Sequence, residues 1–206
     1  MIIKEYTKNT FYYDLNKWLL NCKTNYYEVI AYFTARLMYS LNLYAEKQKK
    51  YYKEKNKTLY RGIKMPYSCL LPYERAKKKI ILISSFTSTS ENKEMAMKFS
   101  GRVNSKELYQ SNLLFSVLFY IKNNWQEGWI SNGINIQNLS EYKKEKEIIY
   151  QPFSFYQLNN VNINLSNYTA DIYLETIGKT EILEEQLKNN QNISYNKSKN
   201  IMEIKK

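Results

Sequence analysis

Three short segments of the chain carry side chains that could act together on one ligand. Arg61 lies in the run Leu-Tyr-Arg-Gly, Ser88 lies in Phe-Thr-Ser-Thr-Ser, and Glu145 and Glu147 form a Glu-Lys-Glu pair. An arginine can bind a pyrophosphate through its planar fork, and a serine hydroxyl can bind a second side chain. Paired carboxylates can divide their tasks, one stabilising a cation and the other accepting a proton.

The first two segments also have purely structural interpretations. Arg61 fits an edge strand with its side chain in solvent, although Gly62 beside it would let a ligand approach the backbone closely. The Ser/Thr cluster fits the start of a helix, with Ser90 as the capping residue. Capping by Ser90 leaves the hydroxyl of Ser88 free for another partner.

The two carboxylates precede the apolar pair Ile148 and Ile149, and a charged loop leading into a strand is the plain interpretation. Residues two apart on a strand face the same side. We therefore expect Glu145 and Glu147 to project into one cleft.

The composition excludes several kinds of site. The 206 residues contain no histidine, so mechanisms that need an imidazole base or ligand are excluded. Cys22 and Cys69 are the only cysteines, which is too few for a usual zinc site or a disulfide framework. We expect free thiols in a reducing compartment and no metal.

The charge and the amino terminus bear on partners and location. The net charge of +12 comes almost entirely from lysine, whereas nucleic-acid contacts favour arginine, so a nucleic-acid-binding module is the weaker alternative. No apolar run reaches membrane-spanning length, and the first residues lack a signal-peptide stretch. These features favour a cytoplasmic protein and leave a secreted effector open.

Hydrophobic periodicity predicts an α+β fold, with a helical N-terminal part packed on a mostly antiparallel, two-sheet β core. We expect residues 1–57 to form the helical part, 58–178 the β-rich core and 179–206 a polar tail. Helices are predicted at 8–22, 26–48, from about 91 and at 181–187. Strands are predicted at 58–63, 79–86, 113–121 (central), 146–158 (broken by Pro152), 161–165 and 168–177.

In this order and at this spacing, the motifs resemble the Arg–Ser–Glu class of mono-ADP-ribosyltransferases. After the first two segments come Ala96-X-X-Phe99, the apolar strand 113–121 and Leu-Ser-Glu-Tyr ending at Tyr142. Glu-X-Glu-Ile-Ile-Tyr-Gln-Pro-Phe follows from Glu145, and the match covers about residues 58–158. The other large class of these enzymes depends on histidine, which this chain lacks.

The resemblance implies a role for each residue toward NAD as substrate. Arg61 would hold the pyrophosphate, and the backbone of Gly62 would hold the nicotinamide amide. Ser88 would orient Glu147, which would stabilise the oxocarbenium ion as nicotinamide leaves. Phe99 would pack near the nicotinamide ring, with the core face of a helix as its alternative.

The same resemblance implies that Glu145 selects arginine as the acceptor and that Tyr142 contacts the substrate. The partners would then be NAD and a protein with an exposed arginine. Lys143, Lys144 and Lys146 would bring positive charge close to a cationic acceptor, or favour an acidic protein surface around it. An enzyme that mainly hydrolyses NAD and a catalytically inactive binding protein remain alternatives.

Overall fold

The structure is a computed structural model of the 206-residue chain. It describes residues 2–8, 11–21, 27–48, 57–102, 114–124, 133–177, 193–196 and 201–204. The predicted tail helix at 181–187 lies outside these ranges. The boundaries expected at residues 57 and 178 stay predictions.

The described residues before position 49 form three helices: α1 (Ile2–Tyr6), α2 (Phe11–Asn21) and α3 (Tyr27–Lys47). The last two confirm the predicted helices within three residues at each end, whereas α1 was not predicted. Leu15, Leu37 and Leu41 are fully buried and pack in one apolar cluster with Phe86 and Ile149 of the β core. The helical part is therefore joined to the sheet by a shared core.

In the described residues from 57 onward, strands alternate with two helices. The strands are β1 (Lys57–Pro66), β2 (Ile80–Ile83), β3 (Thr87–Ser90), β4 (Leu114–Asn123), β5 (Ile134–Asn135), β6 (Glu147–Tyr150), β7 (Ser154–Asn164) and β8 (Thr169–Thr176). The helices are α4 (Tyr67–Arg75) and α5 (Lys93–Ser100), and a separate hairpin is formed by β9 (Ile193–Asn196) and β10 (Ile201–Ile204). None of the helices in the described ranges is long and apolar enough to cross a bilayer.

Strands β1 to β8 form one sheet in the order β2-β7-β8-β4-β1-β3-β6-β5. Neighbouring strands are antiparallel except for β4 and β8, which run parallel. The α+β class, the mostly antiparallel pairing and the central position of β4 are therefore confirmed.

The predicted two-sheet core is not confirmed, because a single pairing joins the two parts of the sheet. β1 pairs with β4 along its whole length, but it pairs with β3 only through Tyr60 and Ser90. Beyond that pair β1 and β3 separate, so that five strands lie on one side and three on the other. This separation creates the cleft described below.

Both faces of the three-stranded part are buried. Ile148 packs in the apolar cluster shared with β1, β4, β7 and β8, whereas Ile149 packs against the N-terminal helices. Adjacent residues of a strand point to opposite faces. Strand β6, which begins at Glu147, is thus held from both sides.

Candidate active site

The cleft where β1 and β3 separate is lined by all seven residues that the sequence singled out. They are Arg61, Gly62, Ser88, Phe99, Tyr142, Glu145 and Glu147. The cleft holds about 800 Å³ of space, including its open mouth.

Glu147 is the buried carboxylate at the centre of the cleft. It is the first residue of β6, and only 7% of its surface is exposed. Ser88 lies on β3, which pairs with β6, and its Oγ donates a hydrogen bond of 2.7 Å to Glu147 Oε1. The serine was predicted to be free for a second side chain, and the geometry agrees.

Burial raises the pKa of Glu147 above that of a free glutamate. Hydrogen bonds from Ser88 and Ser140 and the positive charge of Arg61 act in the opposite direction and lower this pKa. The three groups thus favour the ionised carboxylate and oppose the effect of burial.

Arg61 reaches across the gap between β1 and β3. Its Nη1 donates a hydrogen bond of 3.0 Å to the carbonyl oxygen of Ser88, and the residue is half-buried. The interpretation as a solvent-facing edge-strand residue is wrong, because β1 lies between β4 and β3. The guanidinium keeps further donors for an anionic ligand, since it has five N–H groups.

Gly62 is needed for helix packing as well as for access to the backbone. A Cβ at this position would lie 1.6 Å from the carbonyl oxygen of Ala96 and 2.8 Å from the amide nitrogen of Ser100. Both atoms belong to the backbone of α5, which cannot give way as a flexible side chain would. The glycine therefore sets the distance between α5 and β1 at the floor of the cleft.

Ser90 does not cap α5, contrary to the sequence-based expectation. The cap is Asn92, whose Oδ1 accepts a 2.9 Å hydrogen bond from the amide of Glu94. Ser90 Oγ instead donates to the carbonyl oxygen of Glu145 at 2.5 Å and accepts from the amide of Asn92. Ser90 thereby fixes the turn that carries the second carboxylate.

The two carboxylates share the cleft for a different reason from the one predicted. Glu145 is not on a strand but ends a 3-10 turn (Lys143–Glu145), and Lys146 adopts a left-handed conformation with φ 47° and ψ 51°. The reversal at Lys146, and not strand alternation, brings Glu145 and Glu147 to one cavity. Burial and the negative charge of Glu147 raise the pKa of Glu145.

Two exposed aromatic side chains border the cleft. Phe99 on α5 is 54% exposed and Tyr142 before the 3-10 turn is 41% exposed. The alternative that Phe99 belongs to a core helix face is wrong, because this ring lines the cavity. Exposed rings at a cleft can contact a planar ligand without displacing core packing.

Further residues of the cleft were missed from the sequence. Tyr6, Thr7 and Tyr12 line it from the helical part. Thr7 Oγ1 accepts a 3.2 Å hydrogen bond from the amide of Glu141 and donates to a carbonyl within its own segment. No local motif marks these residues, because they approach the cleft only through tertiary packing.

The structure offers no evident metal site within the described ranges, since no group of three acidic or cysteine side chains comes together there. The charged side chains that line the cleft are the two carboxylates and Arg61. This arrangement can bind an anion beside a site that stabilises a cation.

The chain resembles one curated protein in sequence, and no protein-family profile matches it. The relative is Vis of Vibrio splendidus, a candidate NAD(+)–arginine ADP-ribosyltransferase, with 32% identity over 130 residues. The aligned region covers 63% of this chain and 46% of the relative. The chain thus spans about half the length of the curated relative that it matches.

Solved structures of ADP-ribosyltransferases share the fold. Vis bound to the M6 inhibitor superposes with a TM-score of 0.62 at 24% identity, covering 87% of this chain and 72% of that one. Vis bound to agmatine gives 0.59 at 21% identity, covering 87% and 74%. Exoenzyme S of Pseudomonas aeruginosa, bound to carba-NAD and human 14-3-3 protein beta, gives 0.58 at 18%, covering 85% and 71%.

The Arg–Ser–Glu residues Arg61, Ser88 and Glu147 lie on β1, β3 and β6, the strands that border the cleft. The resemblance predicted from the sequence is therefore confirmed, and the chain has the fold of the ADP-ribosyltransferases.

Proposed function

We propose that the chain transfers ADP-ribose from NAD to arginine side chains of proteins and releases nicotinamide. The observation that carries the proposal is the hydrogen bond between Ser88 and the buried Glu147, with Arg61 and Glu145 in the same cleft. The similarity to Vis supports this choice of reaction, and the agmatine bound by Vis is a small guanidine.

Binding of NAD uses the basic and apolar side of the cleft. Arg61 binds the pyrophosphate through the donors that its contact with Ser88 leaves available. The backbone of Gly62 holds the nicotinamide amide, and Phe99 packs beside the nicotinamide ring. The exposure of Phe99 supports this role, because the free ring has an open surface toward the cavity.

Cleavage uses the charge of Glu147. The bond between the ribose C1′ and the nicotinamide nitrogen breaks, and its electron pair leaves with neutral nicotinamide. Positive charge then develops on the ribose, and the buried carboxylate stabilises it. Ser88 and Ser140 orient this carboxylate and help to keep it ionised.

Transfer uses the second carboxylate. A guanidinium is a poor nucleophile while protonated, and Glu145 can both attract it and accept its proton. A guanidine nitrogen then bonds to C1′, so that the products are ADP-ribosyl-arginine and nicotinamide. The raised pKa of Glu145 suits a proton acceptor better than the pKa of an exposed glutamate does. Tyr142 contacts the acceptor from the same turn.

The test is an assay with NAD and agmatine that measures nicotinamide release and labelled agmatine in parallel. We expect both products from the native chain and neither from Glu147→Gln. Nicotinamide without labelled agmatine would instead indicate an NAD glycohydrolase, in which water traps the same cation. Absence of both products would leave a catalytically inactive binding protein on the same fold.

No residue of the cleft indicates where in or outside the cell the reaction takes place. The cytoplasmic expectation stays a prediction, and action in a second cell agrees with the toxin relative Vis. Fractionation of producing cells and their medium distinguishes the two.

A further inference from the structure

Three lysines lie in the turn that carries Tyr142 and Glu145 to the cleft. Lys143 and Lys144 lie in the 3-10 turn between Tyr142 and Glu145, and Lys146 follows directly. All three are exposed, and within the described ranges none of them forms a salt bridge. The turn therefore presents uncompensated positive charge to whatever approaches the cleft.

Lysines of the adjacent helix α1 region are different, because each has an acidic partner. Lys4 pairs with Glu141 at 3.3 Å, and Lys8 pairs with Glu5 at 2.7 Å. Glu141, the carboxylate that precedes the turn, is thus already engaged by Lys4. Of these five lysines, the three in the turn are the ones without a salt bridge to a described residue.

This charge opposes a bare arginine. Residues 143–147 carry three positive side chains against two carboxylates. An isolated guanidinium therefore gains no long-range attraction from the turn. A guanidinium surrounded by acidic side chains is attracted through those neighbours, and its own charge is then bound at Glu145.

We propose that the preferred acceptor is an arginine set in an acidic protein surface, which docks on Lys143, Lys144 and Lys146. This inference rests on the proposed function and adds the class of protein substrate. A nucleic acid fits the site less well, because its phosphates would approach Glu145 and Glu147 as well as the lysines. A protein surface can place carboxylates at the lysines and a cation at the carboxylates.

Two synthetic peptides and one small acceptor test the proposal. One peptide carries an arginine flanked by Asp and Glu, the other carries an arginine flanked by Ser and Gly, and agmatine has no flanking groups. At low salt we expect kcat/KM for the acidic peptide to exceed that for the neutral peptide by about tenfold. The preference should vanish near ~1 M salt, where exposed charges are screened within about 3 Å.

Lys143→Gln/Lys144→Gln is the test variant, and Lys77→Gln/Lys79→Gln is its matched control. The control lysines are also exposed, but they precede β2 at the far edge of the sheet from β6. The test variant should lose the preference for the acidic peptide and keep agmatine labelling and NAD hydrolysis. The control variant should keep all three.

Several results would overturn the proposal. Equal losses for the acidic peptide and agmatine would mean that the lysines support the turn and not the docking. Equal effects of the two double variants would mean that the preference depends on the net charge of the protein and not on these lysines. A labelled oligonucleotide that displaces the acidic peptide and is itself modified would identify nucleic acid as the partner.

A binding measurement separates this inference from the proposed function. Fluorescence anisotropy of the labelled peptides with Glu147→Gln protein reports docking without turnover. If agmatine is never labelled, the transferase proposal fails, while tight and salt-sensitive binding of the acidic peptide still supports the docking surface. If agmatine is labelled and the two peptides bind equally, the docking surface alone is refuted.

Discussion

Ser88 Oγ donates a 2.7 Å hydrogen bond to Glu147 Oε1, and Arg61 Nη1 donates to the carbonyl oxygen of the same serine. One residue of β3 thus contacts both the buried carboxylate and the arginine that faces it. The position of Ser88 depends on the point where β1 and β3 separate. The two strands pair only through Tyr60 and Ser90, so Ser88 lies just beyond their last contact.

Ser88→Ala tests the first of these contacts through the pH dependence of NAD cleavage. In the proposed mechanism Glu147 acts as the ionised carboxylate, and the hydrogen bond from Ser88 lowers its pKa. Removing the donor raises the pKa, so the acid limb of the pH–rate profile should move to higher pH. At neutral pH the rate should fall by roughly tenfold or more, since a hydrogen bond to a charged group contributes about 1.5–3 kcal/mol.

Ser68→Ala is the matched control for this change, because Ser68 is an exposed serine on α4. Its acid limb should coincide with that of the native chain. A reduced rate in Ser88→Ala with an unmoved acid limb would show that the serine does not act on the carboxylate.

Glu147→Gln should abolish NAD cleavage and transfer while leaving the fold intact. Loss of a charge that stabilises the transition state costs about 3 kcal/mol or more. Burial raises the pKa of Glu147 in the folded chain above its unfolded value, so its ionisation opposes folding as pH rises through that folded pKa. The glutamine variant should therefore melt no lower than the native chain at neutral pH.

Thermal unfolding by circular dichroism, run beside the nicotinamide assay, checks both parts of this prediction. Glu94→Gln, at an exposed position on α5, should keep the activity. Near-native turnover of Glu147→Gln would refute the assignment of the site.

The sequence predicted which residues line the cleft better than it predicted the geometry that unites them. The long α3 and the apolar β4 were correct, because each has a sustained hydrophobic pattern. The short β3 was missed as a strand, since a run of Thr and Ser resembles a helix-capping segment. α4 was missed because Pro72 lies inside it, and proline normally disfavours a helix interior.

The turn before Glu147 shows why local patterns were insufficient. A lysine in the left-handed region carries no sequence signal, because that conformation is usually adopted by glycine or asparagine. Lys146 nevertheless adopts it, and the hydrogen bond from Ser90 to the carbonyl of Glu145 supports the turn from a distant segment. Strand β7 gives a second example, since a bulge between Leu158 and Asn160 joins two segments that were predicted as separate strands.

Arg61→Lys should weaken NAD binding more than Lys64→Arg, an exchange at an exposed position of the same strand. Lysine keeps the charge but loses the planar fork that can bind the Ser88 carbonyl and a phosphate together. Isothermal titration calorimetry on folded protein measures the dissociation constants. Equal affinity of Arg61→Lys and the native chain would remove the pyrophosphate role from this arginine.

Gly62→Ala should lower the melting temperature and weaken NAD binding together. The added Cβ would overlap the backbone of α5 at Ala96 and Ser100, so the helix must move away from β1. Overpacking of this kind costs about 1–3 kcal/mol of unfolding free energy. Thr58→Ala, at an exposed position of β1, is the matched control and should leave α5 in place. An unchanged melting temperature for Gly62→Ala would contradict the close packing.

Glu145→Gln separates transfer from cleavage. Glu145 ends the turn at the mouth of the cleft, whereas Glu147 lies buried beside Ser88. The variant should therefore lose transfer to agmatine and keep most of its NAD cleavage by water. Loss of the negative charge at position 145 also removes its repulsion with Glu147. NAD cleavage by the variant should therefore be no more sensitive to acid than cleavage by the native chain.

The measurement reads nicotinamide release and agmatine labelling from one protein preparation, so their ratio does not depend on the folded fraction. Glu141→Gln is the matched control. Glu141 lies just before the turn, and its more exposed carboxylate pairs with Lys4. A parallel fall of both activities in Glu145→Gln would place this residue in bond cleavage or in the fold. No change in either activity would make it a solvated carboxylate beside three lysines and would leave arginine specificity without a residue to carry it.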